Sequence, residues 1–310
     1  MKLPERLFRA VLLCGLAAQV AACSSAPDKP GVSAPAPDRS VYTISLSQRK
    51  LLDIIDEQHR FFERVKNKSK MNYADVLSIK TRIDSLWAEY LAEFPDDVEA
   101  LIIHGKFLRA TGDDKLAYDD FCKADRLNPK IAVVKQQMAN YEAECGLFKE
   151  SYDSIEEALK LEPDNPVYLT QQAQLILFYR EEFIIKNYFT QAQLDSKMIN
   201  CYRRAAELCP QSSDAQWRYA QAFYDVGRAD WSVALVQWEK ILKEYAPLNI
   251  DKQTALANKA RVLIELNRDA DAVAVLEEVN LPALQKDKNK LLALVSSSGD
   301  TRPQKNNYTH

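Results

Sequence analysis

Glycine and histidine are scarce in this chain: its 310 residues hold 7 glycines and 3 histidines. No long run of alternating β-branched residues lies between Gly or Asn turns, the pattern that half-buried strands and hairpins require. Sheet architectures are excluded on that ground. His59, His104 and His310 form no ligand-spaced pair, and there is no GxSxG, HExxH, Walker loop or dinucleotide-binding glycine motif. His104 falls on a packing face, where a half-buried structural histidine is the simplest reading. Without a base, nucleophile or metal constellation, the pattern points away from an enzyme and predicts no metal or cofactor. An excess of charge is lacking as well. The formal net charge is −3, so nothing in the balance points to a nucleic-acid partner. Apolar residues make up 47% and charged residues 27%, enough apolar surface for a folded core. What remains is an all-α chain.

Carboxylate pairs such as Asp113-Asp114, Asp119-Asp120 and Glu156-Glu157 fall at turns and outer helical faces, where solvated charge is the default. Of the cysteines in the body of the chain, Cys122, Cys145, Cys201 and Cys209, no two form a CxxC. Burial as small apolar side chains is expected, with disulfide formation left open. Cys201 and Cys209 lie eight residues apart on one predicted helix. That is about 12 Å at 1.5 Å per residue, too far for one bridge.

Lys2, Arg6 and Arg9 precede an apolar stretch from Val11 to Val20, followed by Ala21, Ala22 and Cys23. This is a charged n-region, a short hydrophobic region and a small-residue cleavage site. The apolar stretch is shorter than the ~20 residues a helix needs to cross ~30 Å of hydrocarbon. Val20-Ala21-Ala22-Cys23 resembles the lipobox of bacterial lipoproteins, with Val where Leu is commonest. The resemblance implies cleavage of residues 1–22, a covalent lipid on Cys23 and a lipid-anchored protein of the bacterial envelope. Ser24 rather than Asp after the cysteine implies the outer membrane, facing the periplasm. Residues 23–44 carry Pro27, Pro30, Pro35 and Pro37 among Ser, Ala and Asp, and read as a disordered tether. At ~3 Å per residue it would let the folded part stand up to ~60 Å from the lipid. Residues 296–310 read as a disordered tail.

Between these ends runs a period. Pro95, Pro129 and Pro163 are spaced 34 and 34, and Gly112 and Gly146 are also 34 apart. Gly146 to Gly227 and Pro163 to Pro210 each exceed whole periods by the same 13 residues, which places one insertion near 180–194. Glycine at the end of a first helix permits a left-handed cap, and proline past a second helix stops it. One unit is therefore helix, turn, helix, stop, and such units bury their apolar faces only against neighbours.

The pattern resembles the tetratricopeptide (TPR) family, whose apolar signature falls at positions 4, 7, 8, 11, 20, 24 and 27 with Pro at 32. The first full repeat supplies Leu101, His104, Gly105, Leu108, Ala117, Phe121, Ala124 and Pro129. The second departs by placing Lys135 and Glu142 at apolar positions. The resemblance covers residues 45–295 and implies a TPR-type α-solenoid of antiparallel helix pairs, about five to six repeats plus a capping helix over Pro282 to Val295. In this family the inner stripe of each first helix lines a ligand groove. Mapped here, the stripe comprises Lys106, Arg109, Gln136, Gln137, Asn140, Gln171, Gln174, Trp217, Arg218, Gln221, Tyr224, Asn258 and Arg261. Amides can pair with a peptide backbone, and Trp, Tyr and Arg are common binding hot spots. The expected role is a membrane-anchored scaffold for envelope proteins. The alternative is a carrier of glycan or cell-wall fragments with Trp217 and Tyr224 as stacking platforms. The insertion, with Phe183, Ile184, Ile185, Tyr188 and Phe189, either lengthens both flanking helices and packs on the stack or forms a second contact surface.

Overall fold

The computed structural model describes residues 45–67 and 72–301. The expected signal segment, Cys23, the tether up to residue 44 and residues 302–310 lie outside the described residues. Among those described there are 14 α-helices and no strand. None of these helices is long and apolar enough to cross a membrane.

The chain divides into two compact units, one ending at Tyr168 and one beginning at Leu169. Unit 1 holds α1 (Leu46–Lys66), α2 (Tyr73–Glu93), α3 (Val98–Thr111), α4 (Asp114–Leu127), α5 (Ala132–Glu144) and α6 (Phe148–Leu161). From α1 to α6, consecutive helices pack on one another. Helix α7 (Pro166–Phe178) carries the chain into unit 2, which continues with α8 (Arg180–Ile185), α9 (Gln191–Leu208) and α10 (Ser213–Ala222). After a 3₁₀ turn at Phe223–Asp225 follow α11 (Trp231–Glu244), α12 (Asn249–Glu265), α13 (Asp269–Glu277) and, past a second 3₁₀ turn, α14 (Gln285–Thr301).

Helix ends follow from local chemistry. Ser45, Asn72 and Thr190 accept hydrogen bonds from the third helical amides of α1, α2 and α9, while the side chains of Gln48, Asp75 and Gln193 reach back to the caps. Gly112 and Gly146 end α3 and α5 with φ of 90° and 74°. The next amides, of Asp113 and Leu147, donate back to the Leu108 and Glu142 carbonyls at 2.9 and 2.8 Å. Asn267 does the same at the end of α12 with φ 57°, and the Arg268 amide closes on Leu263 at 2.9 Å. Phe94, Asn128, Glu162 and Cys209 each follow a second helix and precede a proline, with φ between −118° and −145°. Steric pressure from the proline ring holds the preceding residue extended, which stops the helix.

Gly227 departs from the expected pattern. It does not take a left-handed conformation; its amide donates to Asp195 at 2.8 Å, and a Cβ there would lie 2.7 Å from the Gln191 side chain. The glycine serves close approach by the start of α9, not a helix cap.

The period reappears as burial. Ala117, Phe121 and Ala124 on α4 recur as Ser151, Ile155 and Ala158 on α6, and as Met198, Tyr202 and Ala205 on α9, all buried. On the first helices Gly105, Ala139, Ala173, Ala220 and Ala260 occupy one position, again all buried. The departures Lys135 and Glu142 are buried too, and both are paired. Lys135 bridges Asp125 of α4 at 2.9 Å and Glu157 of α6 at 2.6 Å. The Glu142 carboxylate accepts from Tyr118 of α4 at 2.9 Å and Ser154 of α6 at 2.8 Å. Burial and this carboxylate raise the Tyr118 hydroxyl's pKa.

The insertion forms its own element. Helix α7 stops at Phe178, α8 follows as a separate six-residue helix, and Asn187 turns the chain at φ 56° toward a longer α9. Only the second of the two flanking helices is lengthened. Phe183 is fully buried, edge-on to Phe189 at 5.7 Å. Arg180 donates to the Asp225 carbonyl and lies 3.2 Å from Asp195. Helix α14 reaches Thr301, so the described helix covers the start of the segment expected as tail. Leu291 and Leu292 pack it on Leu256, Ala260 and Leu276.

Two substitutions test this packing. A Cβ on Gly105 would meet Phe121 at 2.8 Å. Overpacking costs about 1–3 kcal/mol against about 1 kcal/mol gained in helix propensity. Because the ring is fully buried, Gly105→Ala lowers the urea midpoint of unfolding. Glu142→Ala strands the Tyr118 and Ser154 hydroxyls and lowers stability by about 1–3 kcal/mol in the same measurement, whereas Glu142→Gln retains most of it.

Candidate functional site

The thirteen stripe residues fall on α3 and α5 in unit 1 and on α7, α10, its 3₁₀ extension and α12 in unit 2. Their inner faces differ sharply in how far their polar groups are already engaged.

In unit 1, Arg109 is only 17% exposed at its side chain and grips Glu144 of α5 with two bonds of 2.7 Å and Asp114 of α4 with one of 2.9 Å. The Glu144 bonds, opposed by burial, raise the pKa of its guanidinium. A fork closed this way holds α3, α4 and α5 together. Gln137 donates to Gln136 at 2.7 Å, Asn140 is half-buried, and Lys106 stands exposed with no ion pair among the described residues.

The acidic pairs expected in solvent are divided between partners. Asp113 meets Lys80 at 2.8 Å, Asp114 meets Arg109, Asp119 pairs with Lys115, and Asp120 lies 2.6 Å from Nδ1 of His104. The His104 ring also lies 5.1 Å from Trp87, which gives it the half-buried packing role read from its position. Cys201 and Cys209 are buried as expected, but Cys122 is half-buried and Cys145 exposed at the end of α5, and none of the four is joined in a disulfide.

In unit 2, Gln171 and Gln174 are half-buried on α7, and Phe178 on the same helix is 73% exposed. The reading by residue type passed over Phe178, although it sits at the thirteenth repeat position. On α10, Arg218 and Gln221 are exposed; the nearest acid to Arg218 is Asp214 at 3.6 Å. Trp217 is half-buried, edge-on to Trp238 at 5.3 Å, with its N–H aimed at the Tyr245 carbonyl at 3.5 Å.

Tyr224 is the centre of a layered cluster. One face lies against fully buried Trp238, with centroids 6.3 Å apart and planes 29° apart, and Trp231 stands at 5.8 Å. The Arg261 guanidinium lies 4.0 Å above the ring. The Tyr224 hydroxyl donates to the Asn258 carbonyl at 3.1 Å, and the Asn258 amide donates to Thr254 at 2.9 Å. Burial pushes the Tyr224 pKa up. Tyr224 is thus half-buried with Trp238, Trp231 and Arg261 against it, and Trp217 is half-buried as well, so less of either ring is left for a stacked sugar than a free platform would offer. Trp231 was not among the expected groove residues; its aromatic type at the start of α11 was the one available signal.

No family model matches this sequence, and no curated protein matches it. Solved structures do. One titled as YrrB, a TPR protein with an unusual peptide-binding site, superposes with a TM-score of 0.50 at 14% identity, covering 69% of this chain and 98% of the other. A structure of pilF from Pseudomonas aeruginosa superposes with a TM-score of 0.50 at 12% identity, covering 80% of this chain and 98% of the other. At these identities the likeness is one of fold, and together with the recurring helix pairs it establishes the architecture as a TPR-type α-solenoid.

Proposed function

We propose that this protein is a lipid-anchored scaffold that binds other proteins of the bacterial cell envelope through the inner stripe of its first helices. The observation that carries this reading is, in each unit by itself, the exposed polar side chains left over once the fold has been satisfied: Lys106 in unit 1, and Arg218, Gln221 and Arg261 in unit 2, stay exposed while Arg109, Tyr224 and Asn258 hold the helices. Charged and amide groups mounted on rigid helices recognise an extended backbone at small conformational cost. A peptide-binding TPR protein among the solved structures of like fold supports the same reading. Saccharide binding is the weaker alternative, because the two rings it would use are half-buried and already engaged by neighbouring side chains.

Membrane attachment rests on the sequence Val20-Ala21-Ala22-Cys23 and the basic, apolar segment before it. Two or three acyl chains give stable anchoring where one gives only marginal binding. The outer membrane, on its periplasmic side, is the proposed location.

Crosslinking and mass spectrometry in the native host test the groove. A Lys106→Glu, Arg218→Glu, Gln221→Ala variant, altered only at exposed positions, should lose a defined subset of the crosslinked partners; an identical partner list would move the binding surface elsewhere. Cys23→Ala tests the anchor. It should shift the protein from the membrane pellet to the soluble fraction and abolish metabolic labelling with palmitate, and persistence in the pellet through a carbonate wash would refute lipidation as the attachment.

A further inference from the structure

Phe178 and Ile185 are 73% and 74% exposed, the two most exposed large apolar side chains among the described residues, and they bracket the segment that departs from the repeat. Helical hydrogen bonding runs on between them through the bend at Tyr179: its amide donates to the Leu175 carbonyl and the Phe183 amide donates to its carbonyl, each at 3.0 Å. Positions 178, 181, 182 and 185 have the spacing of one helical face. That face presents Phe178, Glu181, Glu182 and Ile185, all exposed, and neither glutamate has an ion pair among the described residues. The other side of α8 is anchored. Phe183 is fully buried against Phe189, Arg180 donates to the Asp225 carbonyl and lies 3.2 Å from Asp195, and the Tyr188 amide closes the helix on the Phe183 carbonyl at 3.0 Å. A helix held this way cannot fold its outer apolar residues away from water. Apolar area that the core does not use, displayed on a fixed element, marks a surface that another molecule covers.

We propose that this face docks a cationic amphipathic helix of a partner protein, its apolar side chains over Phe178 and Ile185 and its basic ones over Glu181 and Glu182. The surface uses none of the thirteen stripe residues, so it goes beyond the groove reading. Charge selects the occupant. Seated in lipid, the face would carry two carboxylates into hydrocarbon between its apolar residues, and an anionic headgroup layer would repel them. Meeting a second copy across a two-fold axis, the face would meet itself and set glutamate against glutamate. A helix with apolar residues at i and i+7 and Lys or Arg at i+3 and i+4 satisfies the apolar and the acidic positions together.

The test uses the full-length chain and fluorescein-labelled peptides read by fluorescence anisotropy. One probe repeats Leu-Ala-Ala-Lys-Lys-Ala-Ala; a second has its lysines replaced by glutamate, and a third has its leucines replaced by serine. The Leu and Lys peptide should bind about tenfold or more tightly than either of the others, the scale of one hot-spot contact. Phe178→Ser with Ile185→Ser should erase that preference with an unchanged melting curve, since both side chains are exposed. Glu181→Gln with Glu182→Gln should erase the discrimination between lysine and glutamate peptides, and the double change to Lys should reverse it. The Lys106, Arg218, Gln221 variant should bind the Leu and Lys peptide as the unaltered chain does, so the two surfaces stand or fall separately. Equal binding of the three peptides, a preference that survives the serine changes, or no binding at all would each overturn the proposal. So would flotation of the Cys23→Ala chain with phosphatidylcholine vesicles, or a dimer in sedimentation velocity, that the serine variant loses: the first would give this face to lipid, the second to another copy of the chain.

Discussion

A side chain missing at Gly105 is what lets the Phe121 ring fill the space between α3 and α4. Any Cβ there would lie 2.8 Å from the ring. The same position on later first helices is held to alanine at 139, 173, 220 and 260, all fully buried. Two helices joined by a two- or three-residue turn can interlock only if one gives up volume where the other places bulk. From this follow the short turns, the buried second-helix triplets and the fact that each unit of the repeat must lean on the next to cover its remaining apolar face.

Two of the polar groups buried around α5 are held in closed sets. Lys135 with Asp125 and Glu157, and Glu142 with Tyr118 and Ser154, each join α5 to helices on either side of it. A group buried without a partner would cost about 1–3 kcal/mol, roughly twice what its hydrogen bond contributes. The pairing is directional where apolar contact is not, so these rungs favour one register between neighbouring helices. In unit 2, Gln216 plays a similar part, donating to the Ala206 carbonyl at 2.8 Å and accepting from Gln237 at 3.0 Å.

Much of the fold was legible in the sequence because its signals are backbone signals. Proline after Phe94, Asn128, Glu162 and Cys209 constrains φ and ψ regardless of context, and Gly112 and Gly146 take the left-handed caps their spacing implied. What depended on three-dimensional contact was less visible. Asn267 fills a glycine's place at the end of α12, Gly227 serves close approach rather than a cap, and Lys135 and Glu142 looked like decay of the pattern because their partners lie 10 to 24 residues away. The stripe expected from the period falls on the first helices, but residue type alone could not separate Arg109 and Tyr224, which the packing engages, from Arg218 and Arg261, which it leaves exposed.

The segment around α8 shows what such an array counts. Between Ala173 and Tyr202 the chain carries 13 residues more than between Ala139 and Ile155, yet the flanking side chains keep their roles in the core. The added stretch satisfies itself through Phe183 and through Arg180, Asp195 and the Gly227 amide. Length is thus free to vary at the turn inside a helix pair provided the two core faces still meet, so such a pair can acquire a new surface without changing its core. Homologous arrays compared by residue number would look unrelated beyond this point; compared by contact, they would remain in phase.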